Sequence, residues 1–180
     1  MKVVIDTCSM LSLVRYYLPF DKEIKLFNLI HDKVRTGEII LLDRVIDESS
    51  TVASGTIVKT MPFVSDRKNQ KSTAQIFPDR FFFQMLEDDF VNKHIRRKLS
   101  HAEFENDKYN YLKSGDVKII LYCLSIQNAG EDIIVVTEET ANSNDKKTFK
   151  KIPAICRILG IESMTLPQLI ETYPEIDLRF

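Results

Sequence analysis

Glycine is scarce and never clustered: Gly37, Gly55, Gly115, Gly130 and Gly160 are the five in the chain, each isolated. That argues against a glycine-rich phosphate loop and against a dinucleotide fingerprint, because both need neighbouring glycines so that the backbone can close on phosphate. Cysteine is also sparse. Cys8, Cys123 and Cys156 are far apart, odd in number, form no Cys-x-x-Cys pair and give no zinc spacing with His31, His94 and His101. This usage fits a reducing cytoplasm. No apolar run approaches the roughly 20 residues that span a bilayer, and no basic-then-apolar leader opens the sequence. The expectation is a soluble, cytoplasmic protein that does not enter the membrane. Charge excess is missing too: Lys+Arg 25 against Asp+Glu 26 leave a net charge of -1. That total neither advertises nor excludes nucleic acid, because a local basic patch can hide inside it.

What the chain does have is apolar substance, 44% of 180 residues, enough for one sizeable core. Several short runs carry no polar alternation: Val3 to Ile5, Glu38 to Leu42 and Ile133 to Val136. Such runs suit strands of a parallel sheet covered by helices on both faces. Between them, Ser9 to Leu18 and Asp21 to Arg35 repeat apolar residues at helical steps, closed by Pro19 and Gly37. Asp43 is a plausible cap for a helix through Val45, Ile46 and Val52, with Glu48 on it. Gly55 to Lys113 reads as an insertion: a polar link over Ser65 to Thr73, one long helical pattern from Phe77 through Phe90 into Lys93 to Lys98, and a helix over His101 to Leu112. The insertion is expected to pack against the main sheet. Ser114-Gly115-Asp116 opens a further helix, Ile152 to Leu159 another, Ile161 to Thr165 a small strand, and Pro167 to Thr172 a last helix. The order βααβα, insertion, αβαβα predicts one α/β layered domain with right-handed crossovers.

Asp6 and Glu139 fall at carboxyl ends of strands, where open α/β sheets bind ligands. Asp116 opens a helix and Glu48 lies in the first turns of another. Asp6 could equally be a helix cap, Asp116 a carboxylate favoured by a helix dipole, and Glu48 a routine surface glutamate. Brought to one edge, the four would repel, raising one another's pKa unless a cation neutralised them. Oxygen donors of this kind select Mg²⁺ or Mn²⁺. Such an ion suits hydrolysis of a phosphodiester.

These stretches carry a resemblance. Val-Ile-Asp-Thr-Cys-Ser, Val-Ile-Asp-Glu-Ser, Gly-Asp-Val-Lys-Ile-Ile-Leu, and Val-Val-Thr-Glu-Glu followed by Ile-Pro-Ala-Ile-Cys-Arg-Ile-Leu-Gly-Ile together resemble the PIN-domain ribonucleases. The likeness is to toxin-type bacterial members related to the VapC toxins, whose fourth motif reads Thr-Glu-Glu. It covers roughly residues 1 to 54 and 114 to 173. The resemblance implies a single PIN-like three-layer domain over 1–180, with a mainly parallel sheet of four to five strands, helices on both faces and a helical insertion at about 55–113. It implies a Mg²⁺- or Mn²⁺-dependent endoribonuclease acting on tRNA, rRNA or mRNA, paired with an antitoxin and dimeric. By position, Asp6 would be the central metal ligand, Asp116 a second, and Glu48 a ligand or a water-orienting acid. Glu139 stands where the family usually has Asp, so the number of metals stays open, with Glu138 or Asp145 as alternative acids. Thr7, Ser9 and Thr137 would support the site by hydrogen bonds.

Beside the acids, Arg96, Arg97 and Lys98, with Lys93 and His94, read either as a phosphate-contacting patch or as a solvated helix face. Lys146, Lys147, Lys150 and Lys151 follow the fourth motif and are well placed to steer RNA. Phe81, Phe82 and Phe83 could stack bases, although a helix so rich in phenylalanine usually buries them. Cys8 reads as a packed thiol rather than a nucleophile. A haloacid-type phosphoaspartyl hydrolase would want Asp where Cys8 stands. The other serious reading is a catalytically degenerate PIN scaffold that binds RNA or a protein partner.

Overall fold

Val3–Ile5 forms β1, every residue of it buried, in a computed structural model that describes residues 1–141 and 146–176. Asp145 lies outside the described residues. Burial on both faces is what a run without polar alternation demands, and β2 (Ile39–Leu42) follows the same rule. Between them come α1 (Thr7–Ser12), which runs on into a π-helical turn at Leu13–Tyr17, and α2 (Lys25–Arg35). Helix α2 begins later than its apolar spacing predicts, because Ile24 adopts a left-handed φ of 51° and the Asp21 carboxylate accepts the Phe27 N–H at 2.8 Å.

After β2 come α3 (Asp43–Thr51) and α4 (Thr56–Thr60). The polar link then contributes something that apolar patterning does not reveal, the two-residue strand β3 (Gln70–Lys71), paired parallel to β2. Asp43 is part of the reason. Placed as the first residue of α3 rather than as its cap, it accepts from the Arg44 N–H (2.7 Å), the Thr73 N–H (3.0 Å) and the Thr73 hydroxyl (2.6 Å), tying the end of β3 to the end of β2.

The long helical pattern from Phe77 to Lys98 is broken in the structure. Helix α5 (Arg80–Met85) widens into a π-helical turn at Leu86–Phe90, and Val91 is extended, bridging Phe149 antiparallel, before α6 (Lys93–Arg96). Helices α7 (His101–Leu112) and α8 (Gly115–Asn128) follow, then β4 (Ile134–Val136), α9 (Ile152–Leu159), β5 (Glu162–Met164) and α10 (Leu166–Glu171).

The insertion splits between two cores. Ile57, Met61 and Val64 join the main core with the strands, as expected. Phe82, Leu86, Phe90 and Phe104 instead pack on Val117, Ile120 and Leu121, whereas Ile119 and Cys123 of the same helix face the sheet core. Helix α8 is thus buried on two sides, with Asp116, Lys118, Ser125 and Gln127 on what remains of its surface. The insertion therefore packs against the sheet core through Ile57, Met61 and Val64, and against the far side of α8 through its later residues.

All five strands are parallel, in the order β3-β2-β1-β4-β5. The fold class read from the sequence is the one observed, an α/β domain with a five-stranded parallel sheet and helices. The chain leaves β1 toward β2 and β3, then returns to build β4 and β5 on the other side. Order therefore reverses between β1 and β4, and the crevice beyond their carboxyl ends is the place where such sheets bind ligands. Among the described residues, no helix is long and apolar enough to cross a membrane.

Candidate active site

Ile5 pairs with Val136 in register, so the next residues, Asp6 and Thr137, emerge side by side at that reversal. Thr137 donates its hydroxyl to Asp6 Oδ2 at 3.0 Å, Cys8 donates its thiol to the same oxygen at 2.8 Å, and Oδ1 accepts the Thr7 N–H at 2.6 Å. Asp6 therefore caps α1 and faces the crevice at once. It is buried, at 7% exposure. Burial pushes its carboxyl above the usual range, the Cys8, Thr137 and Thr7 donors pull it back, and the charge of Glu139 adds to the rise.

Asp116 sits in the first turn of α8. Its pKa is pushed up to about 7, first by burial, then by the charges of Asp6 and Glu139 and more weakly by Glu48, with Lys147 opposing. A carboxyl that feels three others in this way belongs to one electrostatic cluster. Glu48, half-buried on α3, accepts the Gly115 N–H at 2.9 Å and pairs with Arg44 at 3.3 Å. Burial raises its pKa, while Gly115 and Arg44 oppose the rise. A Cβ at residue 115 would lie 2.6 Å from Glu48 Oε2, so glycine there leaves room for the glutamate tip. Arg44 also donates to the Lys113 carbonyl at 2.8 Å, which ties α3 to the start of α8.

Glu139 is held between the Ile152 N–H that opens α9 and the Lys147 ammonium, each at 3.2 Å. Glu138 turns elsewhere. Its carboxylate accepts the Leu166 N–H of α10 at 2.6 Å, so it is occupied as a helix-end acceptor rather than joining the cluster. Of the three expected supports, Thr137 touches Asp6 through its side chain and Thr7 through its backbone; the Thr7 hydroxyl donates to the Val45 carbonyl at 3.4 Å. Ser9 is fully buried, and its hydroxyl makes no hydrogen bond among the described residues. Among the described residues, no three His, Cys, Asp or Glu side chains converge closely enough to ligate one ion. The donor chemistry nevertheless suits a hard dication: four carboxylates, one of them raised to about 7 by burial first and by the negative charge of its neighbours second.

A family model described as a domain of unknown function (DUF4411) matches residues 3–174. The chain belongs to the DUF4411 family. No curated protein and no solved structure matches it. The family match runs from β1 to the end of α10, so the DUF4411 domain includes the insertion as well as the four acids.

Three further residues of this DUF4411 site are not among the sequence candidates for it. Cys8 bridges Asp6, Thr137 (3.4 Å) and the Glu138 N–H (3.3 Å). Its pKa is pushed up to about 12 by burial and by Asp6, so it is a neutral donor and not a nucleophile. Arg44 is the partner of Glu48, and its spacing of four residues on one helix was the available signal. Tyr111 stacks on Phe149 at 4.4 Å between centroids, with a buried hydroxyl that has no hydrogen-bond partner among the described residues. It lines an open groove of about 400 Å³ together with Asp116, Lys146, Lys147 and Lys150. No sequence pattern marks a tyrosine in an insertion as a neighbour of the site. Of the basic candidates, Arg96 lies over the Phe104 ring at 4.2 Å, whereas Arg97, Lys98 and Lys146 are exposed. Phe82 is core; Phe81 and Phe83 are exposed.

Proposed function

We propose that this DUF4411 protein is a metal-dependent endoribonuclease of the PIN type, working in the cytoplasm, in which Asp6 and Asp116 hold Mg²⁺ or Mn²⁺ with help from Glu48 and Glu139. The observation that carries this reading is the placement of Asp6 at the β1/β4 reversal, with Glu48 on the Gly115 N–H beside Asp116 and with the charges of Asp6, Glu139 and Glu48 adding to burial in raising Asp116. When bound, the ion supplies Lewis-acid stabilisation of a phosphodiester and lowers the pKa of water.

The chain's own groups prepare the site. Thr137 and Cys8 fix the Asp6 carboxylate by donating to one of its oxygens. Arg44 and the Gly115 N–H hold Glu48 beside the start of α8. Lys146 and Lys147, which line the same groove as Asp116, offer charge to the phosphate of the RNA. The toxin role, with an antitoxin partner and a dimeric state, belongs to the same proposal and rests on the resemblance in the four acidic stretches.

One observation favours a second reading, a scaffold that binds without cleaving. Glu139 is already engaged by Lys147 and the Ile152 N–H, and no three acids converge among the described residues. Cleavage of RNA by purified protein in Mg²⁺, Mn²⁺ or chelator separates the two. The ribonuclease reading expects metal-dependent cutting that falls at least about a hundredfold in Asp6→Asn and Asp116→Asn, on the order of 3 kcal/mol of barrier. Cutting that survives both substitutions refutes the metal assignment, and absence of cutting together with absence of Mn²⁺ binding by calorimetry selects the scaffold.

A further inference from the structure

Two basic stretches far apart in sequence are joined into one seam. Val91 bridges Phe149 antiparallel, the Asn92 N–H donates to the Thr148 carbonyl at 2.9 Å, the Asn92 side-chain amide donates to the Lys147 carbonyl at 2.7 Å, and the Lys150 N–H donates to the Phe90 carbonyl at 2.8 Å. The seam is anchored, since Phe90, Val91 and Phe149 are all buried in the second core. Residues 91–98 and 146–151 together carry eight lysines and arginines and no aspartate or glutamate, in a chain whose net charge is -1. Some of these cations have structural work. Arg96 lies over Phe104, Lys147 pairs with Glu139, and Lys150 donates to the Asp89 carbonyl. Lys93, Arg97, Lys98 and Lys146 are exposed. Of the nearby acids, Asp107 lines the groove and accepts the Thr148 hydroxyl at 2.5 Å, and Glu87, Asp88 and Asp89 are exposed just before the seam. The open groove lined by Asp116, Lys146, Lys147 and Lys150 leads from the acidic cluster onto this surface.

We infer that the seam is a binding track for the phosphates of a single RNA strand whose scissile bond lies at Asp116, and that holding this strand is the task of the α6 region of the insertion. The choice of RNA, and of Asp116 as the cutting point, rests on the ribonuclease reading; the track itself rests on charge and geometry. Lysine and arginine on such a surface read backbone and not sequence, so binding should be salt-dependent and indifferent to base order.

The test uses the full chain without metal, so that binding is separated from cutting. A fluorescently labelled 12-nucleotide RNA is titrated in EDTA across a range of KCl, with wild type, Lys93→Gln/Arg97→Gln/Lys98→Gln, and a control removing three exposed lysines elsewhere, Lys22→Gln/Lys25→Gln/Lys59→Gln. Melting by circular dichroism confirms that each variant is folded. The seam variant should bind about tenfold or more weakly at low salt. Its slope of log affinity against log salt should be lower by about 2, as expected for three lost contacts to a single strand. The control should match wild type. Equal binding by seam variant and wild type, or equal loss in the control, overturns the inference, as does tighter binding of polyglutamate than of RNA, which would make the seam a dock for an acidic protein. If wild type shows no metal-dependent cutting yet the seam variant alone loses RNA, the ribonuclease reading fails while the track stands.

Discussion

Cys8 donates its thiol to Asp6 Oδ2 across 2.8 Å, and the same sulfur is 3.4 Å from the Thr137 hydroxyl. With its pKa pushed up to about 12, the thiol keeps its proton at every physiological pH. Folded protein treated with iodoacetamide at pH 8 should therefore show no adduct at Cys8 by mass spectrometry, and denatured protein should show full labelling. Cys8→Ala should leave the fold intact yet weaken cleavage, because Asp6 loses a donor that favours its charged form.

Asp116 makes the metal-free protein less stable as pH rises. An unfolded aspartate gives up its proton near the ordinary value of 3.8, whereas the folded one keeps it to about 7. Between those values the native state binds more protons than the unfolded state, so stability falls by a few kcal/mol as pH climbs from about 4 to about 7, and it changes little from this group above that. Asp6 and Glu48, raised mainly by burial, act in the same direction. Thermal melts in EDTA should show the decline, and Mn²⁺ should reverse it because the ion binds the deprotonated acids.

Asp116→Asn should therefore have opposite effects on stability and activity. At pH 8 in EDTA its melting temperature should exceed that of wild type by several degrees, at about 2–4 °C per kcal/mol for a chain of this size. At pH 4 the two should coincide, and cleavage should be lost throughout. Equal melting at pH 8 would mean that the cluster does not strain the metal-free state.

Gly115→Ala isolates the position of Glu48. The new methyl would meet Glu48 Oε2 at 2.6 Å and Val45 Cγ2 at 3.3 Å, and the glutamate tip is the part free to yield. The fold should survive with a loss of about 1–2 kcal/mol, and cleavage should fall as far as in Glu48→Gln. In a double-mutant cycle, Gly115→Ala added to Glu48→Gln should cost little more.

Asp43→Ala tests the attachment of β3. It leaves the N–H and hydroxyl of Thr73 without their acceptor, a cost of about 1–3 kcal/mol. Amide exchange over residues 66–76 should accelerate far more than over α9.

The strands flanking the site were legible because Val-Val-Ile and Ile-Ile-Leu-Leu have no polar alternation, and only a sheet covered on both faces buries such runs. β3 was not, since Gln70 and Lys71 form an edge held by backbone pairing and by Asp43, neither of which leaves an apolar trace. The break at Val91 was hidden for a similar reason: an antiparallel bridge to Phe149 overrides a helical period that continues on either side. In the site, the elements that carry Asp6, Glu48, Asp116 and Glu139 could be read from the sequence, but the direction of each side chain could not. Glu138 and Glu139 are neighbours with the same chemistry, and the helix start each one serves, α10 or α9, decides which of them faces Asp116.

The sheet order also has a consequence for synthesis. β1 is made first yet lies in the middle of the sheet, and Asp6 receives the Thr137 hydroxyl from 131 positions later in the chain. A nascent chain that has not yet released β4 has no partner for that side of β1 and cannot assemble the carboxylate cluster. Contacts this distant in sequence also close late in folding. Whatever chemistry the cluster performs is therefore withheld from the ribosome that is making it until β4 and the residues through Glu139 have emerged.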